Sequence, residues 1–426
     1  MKFLKNIIFI SILIYLFASV ESVVQKSKNK DYTISDSSNA PKKVYNIILK
    51  NIESVQSTHY DWLTNKLNSC VEKKSEQSIS SINNKNCVKD FSSQDGRLKG
   101  YSGLFTQEFV NNELMKRKDV DIVEEDQIMS IKYVAPRDTQ TKPREGLDRI
   151  DQAKFPLDGK YTFPNSSGNG VNIFVVDTGI RKSHHEFGGR AISGGVFCDG
   201  CESDDDENGH GTNCASIAAG TEFGVAKKAA LIAVRVLDAN GGGTTSSVIN
   251  GLSFVLDRHN NATNKNSVVS MSLGGPKSDA LNKAVKALTD AGVHVVVAAG
   301  NKAINACLES PSSELSAITV GATEDENDHI TDFSNFGKCV DIYAPGRNVE
   351  GAGIENDNAT SILSGTSQAT PHVAGTLTLI IAQSGNKSPA QMAVALDNLS
   401  TKGTIIFDDH IANATSKNSF LRVPAP

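Results

Sequence analysis

An α/β fold with a central parallel sheet, preceded by a smaller α+β module, is what this sequence predicts. Three observations carry that expectation. Ile173-Phe-Val-Val176 is a continuous apolar run, as in a parallel strand buried on both faces. Cys214–Gly220 and Ala369–Ile381 are rich in small residues and read as helices packed close to their neighbours. Further upstream, Val44–Leu49 reads as a strand, and Phe105, Phe109, Leu114 and Val120–Val123 mix helix-like with strand-like spacing.

Three segments place a reactive side chain among glycines or small residues. They are Val-Val-Asp177-Thr-Gly179, Gly209-His210-Gly211-Thr212 and Ser364-Gly365-Thr-Ser367-Gln-Ala-Thr-Pro371. Asp177 stands where the buried strand ends, and Gly179 permits a sharp turn there. Ser367 precedes the second small-residue helix, Ala369–Ile381, with Pro371 expected in its first turn, where no N–H donor is needed. Backbone N–H groups and the helix dipole would then face any oxyanion formed at Ser367. Asp, His and Ser can form one relay: the hydroxyl attacks, the imidazole takes its proton, and the carboxylate orients the imidazole. A lone Asp-Thr-Gly carries little weight, but all three in this order are hard to produce by accident. The order Asp, His, Ser differs from the chymotrypsin and α/β-hydrolase orders. Gly365-Thr-Ser367-Gln-Ala369 is not a Gly-x-Ser-x-Gly elbow, which argues against a lipase or esterase.

With these residues the chain resembles the subtilisin-like serine proteases, and within them the proteinase K group. The resemblance runs from about Gly146 to about Leu421. It includes Arg235-Val-Leu-Asp-Ala-Asn-Gly241, Ser270-Met-Ser-Leu-Gly-Gly275, Val295-Val-Val-Ala-Ala-Gly-Asn301 and Phe333-Ser-Asn-Phe-Gly337. It implies a three-layer sandwich around the parallel sheet and an endopeptidase with Asp177, His210 and Ser367 as its triad. Asn301 would supply an oxyanion-hole amide beside the Ser367 N–H. Ser272, Leu273, Gly274 and Gly275, with Ala298 and Gly300, would wall the S1 cleft, and Gly241–Gly243 would border S4. Small walls with no carboxylate nearby suit an apolar or aromatic P1 residue. No cofactor is needed for the chemistry. A structural calcium would take Asp341 and the carbonyls of Leu315 and Ala317. Two positions depart from the family pattern: Asn213, where a second His is usual, and Gln368, where Met is usual.

The seven cysteines divide unevenly. By resemblance Cys214 is a free thiol beneath the histidine. That leaves Cys307–Cys339 and Cys198–Cys201 as the expected bridges, although connectivity cannot be read from sequence and other pairings stay open. Cys198-Asp-Gly-Cys201 lacks the second pair that a zinc site requires.

Lys2, Lys5 and the apolar run Ile7–Phe17 read as a signal peptide over residues 1–22, too short to span a bilayer. Residues 23–135 resemble the inhibitor-type propeptide of the family, with a polar insertion from Cys70 to Asp95. Residues 136–426 are the expected catalytic domain. The propeptide would template folding and inhibit the enzyme until self-cleavage near Tyr133–Arg137. A secreted monomer acting on peptide and protein substrates is expected; a lysosomal or vacuolar lumen is the alternative compartment. Sequons at Asn165, Asn261, Asn358, Asn398 and Asn413, with Asn386 disfavoured by a following Pro, agree with export. The net charge of −5 gives no nucleic-acid signal, and no other run approaches a membrane span. Asp204–Glu207 is expected to be a solvated loop, and His184-His185-Glu186 a surface segment. Two other readings stay open. One is a non-catalytic binding protein, suggested by Asn213 and Gln368. The other is a convertase that cuts after basic residues, suggested by the acidic run and by Arg137 or Arg144.

Overall fold

The computed structural model describes residues 41–51, 55–67, 88–131, 145–324, 327–408 and 416–425. The expected signal peptide, Cys70, Cys87, Asn413 and the expected cut near Tyr133–Arg137 lie outside the described residues.

The N-terminal module comprises β1 (Lys42–Leu49), α1 (Val55–Leu67), β2 (Val88–Asp90), β3 (Gly100–Thr106) and β4 (Val120–Glu125). Its antiparallel sheet has the order β2-β3-β1-β4. Ile47, Leu63, Tyr101, Phe105 and Leu114 close its own small core. The expected polar insertion ends earlier than Asp95. Val88 and Phe91 are buried, so the chain has already rejoined the sheet by that point.

A short strand, β5 (Ile128–Ser130), leaves the module. The larger domain follows with α2 (Glu145–Asp151), β6 (Asn172–Asp177), β7 (Ala191–Val196), α3 (His210–Ala219), β8 (Ala230–Arg235), β9 (Gly242–Thr244), α4 (Thr245–Asn261), β10 (Ser267–Met271) and β11 (Gly275–Pro276). It continues with α5 (Asp279–Asp290), β12 (His294–Ala298), β13 (Glu309–Ser310), β14 (Ile318–Thr323), β15 (Ile342–Pro345), β16 (Val349–Ala352) and β17 (Thr360–Leu363). It ends with α6 (Thr366–Ser384), α7 (Pro389–Leu399), β18 (Thr401–Lys402) and β19 (Ser419–Phe420).

The central sheet has nine strands in the order β18-β19-β15-β14-β12-β10-β6-β8-β7. All its pairs are parallel except the edge pair β18–β19. Alternate residues of β6 enter opposite layers, as the strand period of two requires. Ile173 and Val175 pack with Ala215, Ala218 and Val373 of α3 and α6. Phe174 and Val176 pack with Val248 and Leu281 of α4 and α5. The apolar run therefore does face helices on both sides, and the architecture is the expected three-layer α/β sandwich.

The module docks on the α4/α5 face. Its Ile48, Phe91 and Leu98 join the core cluster of those helices. Glu124 Oε2 accepts from the N–H groups of Asp279 and Ala280 at 3.0 and 3.2 Å, at the start of α5. Asp126 accepts from Ser246 N (3.0 Å) and Ser246 Oγ (2.6 Å) at the start of α4. Both carboxylates thus sit at the positive end of a helix and bond N–H groups that lack intrahelical partners.

Candidate active site

Asp177 is the last residue of β6 and is buried. The turn after it is held by α3, which begins at His210. A Cβ on Gly211 would lie 2.2 Å from the Gly179 carbonyl, so only glycine lets the helix approach this closely. Asp206 anchors the loop ahead of the helix. Its Oδ1 accepts from Thr178 Oγ1, Asn208 N and Gly209 N, and its Oδ2 from Thr212 N and Oγ1, all at 2.7–2.9 Å. Asp204 pairs with Lys182 at 2.7 Å and accepts from Gly194 N at 3.0 Å. The run expected to be a solvated loop is therefore half structural: Asp204 and Asp206 are buried, because they satisfy turn N–H groups that nothing else reaches. His184 and Glu186, expected at the surface, are buried too. His184 Nε2 meets the Ala359 carbonyl at 2.9 Å, and Glu186 accepts from Glu222 N and Phe223 N.

His210 Nδ1–H donates to Asp177 Oδ1 at 2.8 Å, and Thr178 N donates to the same oxygen at 2.8 Å. Burial opposes the imidazolium, but the Asp177 carboxylate outweighs it and holds the His210 pKa well above the usual 6.5. Among the described residues Cys214 is the free thiol, one turn further along α3. Its Sγ lies 3.9 and 4.0 Å from the two ring nitrogens of His210. Burial pushes that thiol's pKa up, which favours the neutral thiol here. The expected bridges Cys198–Cys201 and Cys307–Cys339 are both present.

Ser367 lies in the first turn of α6, which starts at Thr366 rather than at Ala369. Pro371 is consequently in the second turn, inside the helix. Its missing N–H leaves the Ser367 carbonyl without its helical donor. Ser272 Oγ donates to that carbonyl at 2.8 Å, and the Cys214 thiol does so at 3.4 Å. In return Ser367 Oγ donates to the Ser272 carbonyl at 3.1 Å, and no hydrogen bond joins it to His210. Asn301 follows β12. Its Oδ1 accepts from Thr366 N (2.9 Å) and Thr366 Oγ1 (2.7 Å), which ties the amide to the start of α6.

Two of the segments expected to wall the cleft touch the start of α6. Ser272, just after β10, bonds the Ser367 carbonyl, and Gly300, two residues past the end of β12 at Ala298, donates its N–H to Thr366 Oγ1 at 3.1 Å. The N-terminal module reaches the same segments: β5 pairs antiparallel with β9, and Ser130 exchanges two backbone hydrogen bonds with Gly274 at 3.1 and 3.2 Å. One residue escaped the sequence reading. Glu309, only 3% exposed, stands where a Cβ on Gly300 would approach its Oε2 within 2.5 Å. It lies in a stretch without periodicity after Cys307-Leu308, so no pattern marked it. Among the described residues, Asp177, His210 and Cys214 are the one group of three metal-capable side chains in mutual reach. Asp341 belongs to no such group.

Residues 168–416 match the Peptidase S8 model, described as the subtilase family. The chain belongs to the subtilase family. Among subtilases, it is 39% identical over 330 residues to a subtilisin-like serine protease, Pen ch 18, of Penicillium rubens, covering 73% of this chain and 65% of the relative. It is 41% identical over 343 residues to cerevisin of Saccharomyces cerevisiae, covering 75% of this chain and 53% of that one. The chain thus spans less than two thirds of the length of either relative. A solved subtilase, a cold adapted subtilisin-like serine proteinase, superposes with a TM-score of 0.62 at 40% identity, covering 67% of this chain and all of that one.

Proposed function

We propose that this subtilase is a serine endopeptidase, made as a self-processing zymogen for export. The observation that carries the reading is the buried Asp177–His210 pair beside Ser367 at the start of α6. Ser367 Oγ leaves the Ser272 carbonyl by rotation about χ1 and attacks the scissile carbonyl as His210 Nε2 takes its proton. Asp177 keeps Nδ1 protonated, so that Nε2 faces the hydroxyl as acceptor, and it stabilises the imidazolium that forms. The Ser367 N–H and the Asn301 amide hold the oxyanion. His210 then returns the proton to the leaving amine.

The docked module supports the zymogen reading. Its carboxylates Glu124 and Asp126 meet two helix N-termini, and β5 adds a strand to the cleft as an extended peptide substrate would. The cut itself falls outside the described residues. No described helix is long and apolar enough to cross a membrane. Calcium at Asp341 fits poorly. Its Oδ1 takes the Lys417 ammonium and its Oδ2 takes Thr319 N, each at 3.1 Å, so a cation would have to displace a lysine. The expected apolar or aromatic P1 preference assumed no carboxylate near the walls, and Glu309 is one.

A fluorophosphonate probe tests the chemistry. We expect one adduct, on Ser367, and none on the Ser367→Ala variant; a mature protein that takes no label belongs instead to a non-catalytic binding protein. The Ser367→Ala precursor should also stay uncut when expressed without other proteases, and spontaneous maturation of that variant would refute self-processing.

A further inference from the structure

Glu309 lies between the two walls of the cleft. Its backbone belongs to β13, where it pairs with Pro276, next to the wall residue Gly275. Its side chain reaches the other wall at Gly300, whose φ of +104° and 2.5 Å clearance from Glu309 Oε2 leave room for no side chain there. Asn335 Nδ2 donates to Oε2 at 2.9 Å and to the Ala299 carbonyl at 2.8 Å, fixing the carboxylate against that wall. The other oxygen, Oε1, takes the ammonium of Lys302 at 2.5 Å. The two partners differ sharply in exposure. The Glu309 side chain is 4% exposed, whereas that of Lys302 is 50% exposed. An ammonium on a long, half-exposed stem therefore reaches a buried carboxylate from the solvent side.

A buried carboxylate needs a cationic partner, and losing one without replacement is costly. Exchanging one cation for another preserves that balance. We propose that Glu309 makes the S1 subsite selective for Lys or Arg, with the Lys302 ammonium as the internal stand-in that a basic P1 side chain displaces. This rests on the protease reading above and names its substrate class. An apolar P1 side chain would meet an ion pair rather than an apolar floor and gains less.

The test compares Ala-Ala-Pro-Lys, Ala-Ala-Pro-Arg and Ala-Ala-Pro-Phe p-nitroanilides, with enzyme concentration set by fluorophosphonate titration of active sites. The parent should prefer the basic substrates. Glu309→Gln should lower the Lys/Phe ratio of kcat/KM by roughly tenfold or more, since the discrimination comes from pairing a buried polar group. Lys302→Ala should raise that ratio, because the internal competitor is gone. A purely structural Glu309–Lys302 pair would lower stability in both variants and leave the ratio unmoved. An unchanged ratio in Glu309→Gln, or a fall in Lys302→Ala, overturns the proposal. A labelled parent that favours Phe overturns it while leaving the protease reading intact; an unlabelled parent removes both.

Discussion

Gln368 Nε2 donates to Asn213 Oδ1 at 3.4 Å across the packed interface of α3 and α6. Both side chains are fully buried. Asn213 passes the contact on, donating to the Ser361 carbonyl at 3.1 Å and to Ser361 Oγ at 3.0 Å on β17. The two positions that depart from the family pattern are thus one contact. It joins the helix of His210 to the helix of Ser367.

A double-mutant cycle on Gln368→Met and Asn213→Ala should therefore be non-additive. Each single change strands the amide atom that faced it, whereas the double variant removes both. We expect a coupling of about 1 kcal/mol in urea unfolding. Strict additivity would mean that the contact contributes nothing.

The rate of Ser367 labelling should fall as pH drops through the His210 pKa, because only the neutral imidazole accepts the proton. The Asp177 carboxylate raises that pKa, so the acid limb belongs above pH 6.5. Asp177→Asn should move the limb downward, since burial then acts alone, and should cut turnover by about 10⁴-fold. A parent limb at or below 6.5 contradicts the assignment.

Ser272→Ala should cost about 1–3 kcal/mol, because it withdraws the hydroxyl that serves the Ser367 carbonyl where Pro371 has no N–H. Adding Pro371→Ala returns a helical donor to that carbonyl and should recover part of the loss. Chemical denaturation of the single and double variants checks both steps. An unaffected Ser272→Ala protein would show that the carbonyl did not need the hydroxyl.

Acid should destabilise the fold before it protonates the structural carboxylates. His372 is buried with Nδ1–H donating to the Gln368 carbonyl at 2.8 Å, and burial lowers its pKa to about 4. The unfolded chain binds a proton near pH 6.5, earlier than the folded one does. Stability is therefore full above 6.5 and is lost as pH falls from 6.5 toward 4, by about 3 kcal/mol from this residue. Burial lowers the pKa of His59, His259 and His294 in the same direction. His210 works oppositely: its raised pKa adds stability below 6.5 that disappears as pH rises through the folded value. Unfolding of His372→Asn should be flatter between pH 6.5 and 4 than unfolding of the parent. Equal slopes would count against a buried neutral His372.

The sequence by itself determined the layers and singled out the proposed reacting groups. Ile173–Val176 announced a strand buried on both faces because every residue is apolar. Asp177, His210 and Ser367 stood out because each lies among glycines or small residues at the end of an element. These are local signals, written within a few positions of one another. What tertiary structure decided were meetings between distant positions: Gln368 with Asn213, Ser272 with Ser367, Glu309 with Gly300. It also moved Pro371 into the second turn by extending α6 backwards, and it buried Asp206, His184 and Glu186, which composition alone had left in solvent. A polar side chain carries the same sequence pattern whether it faces water or a stranded N–H. Only the packed neighbours determine which, and at Glu309 they turn an unmarked residue into the proposed selector of the substrate.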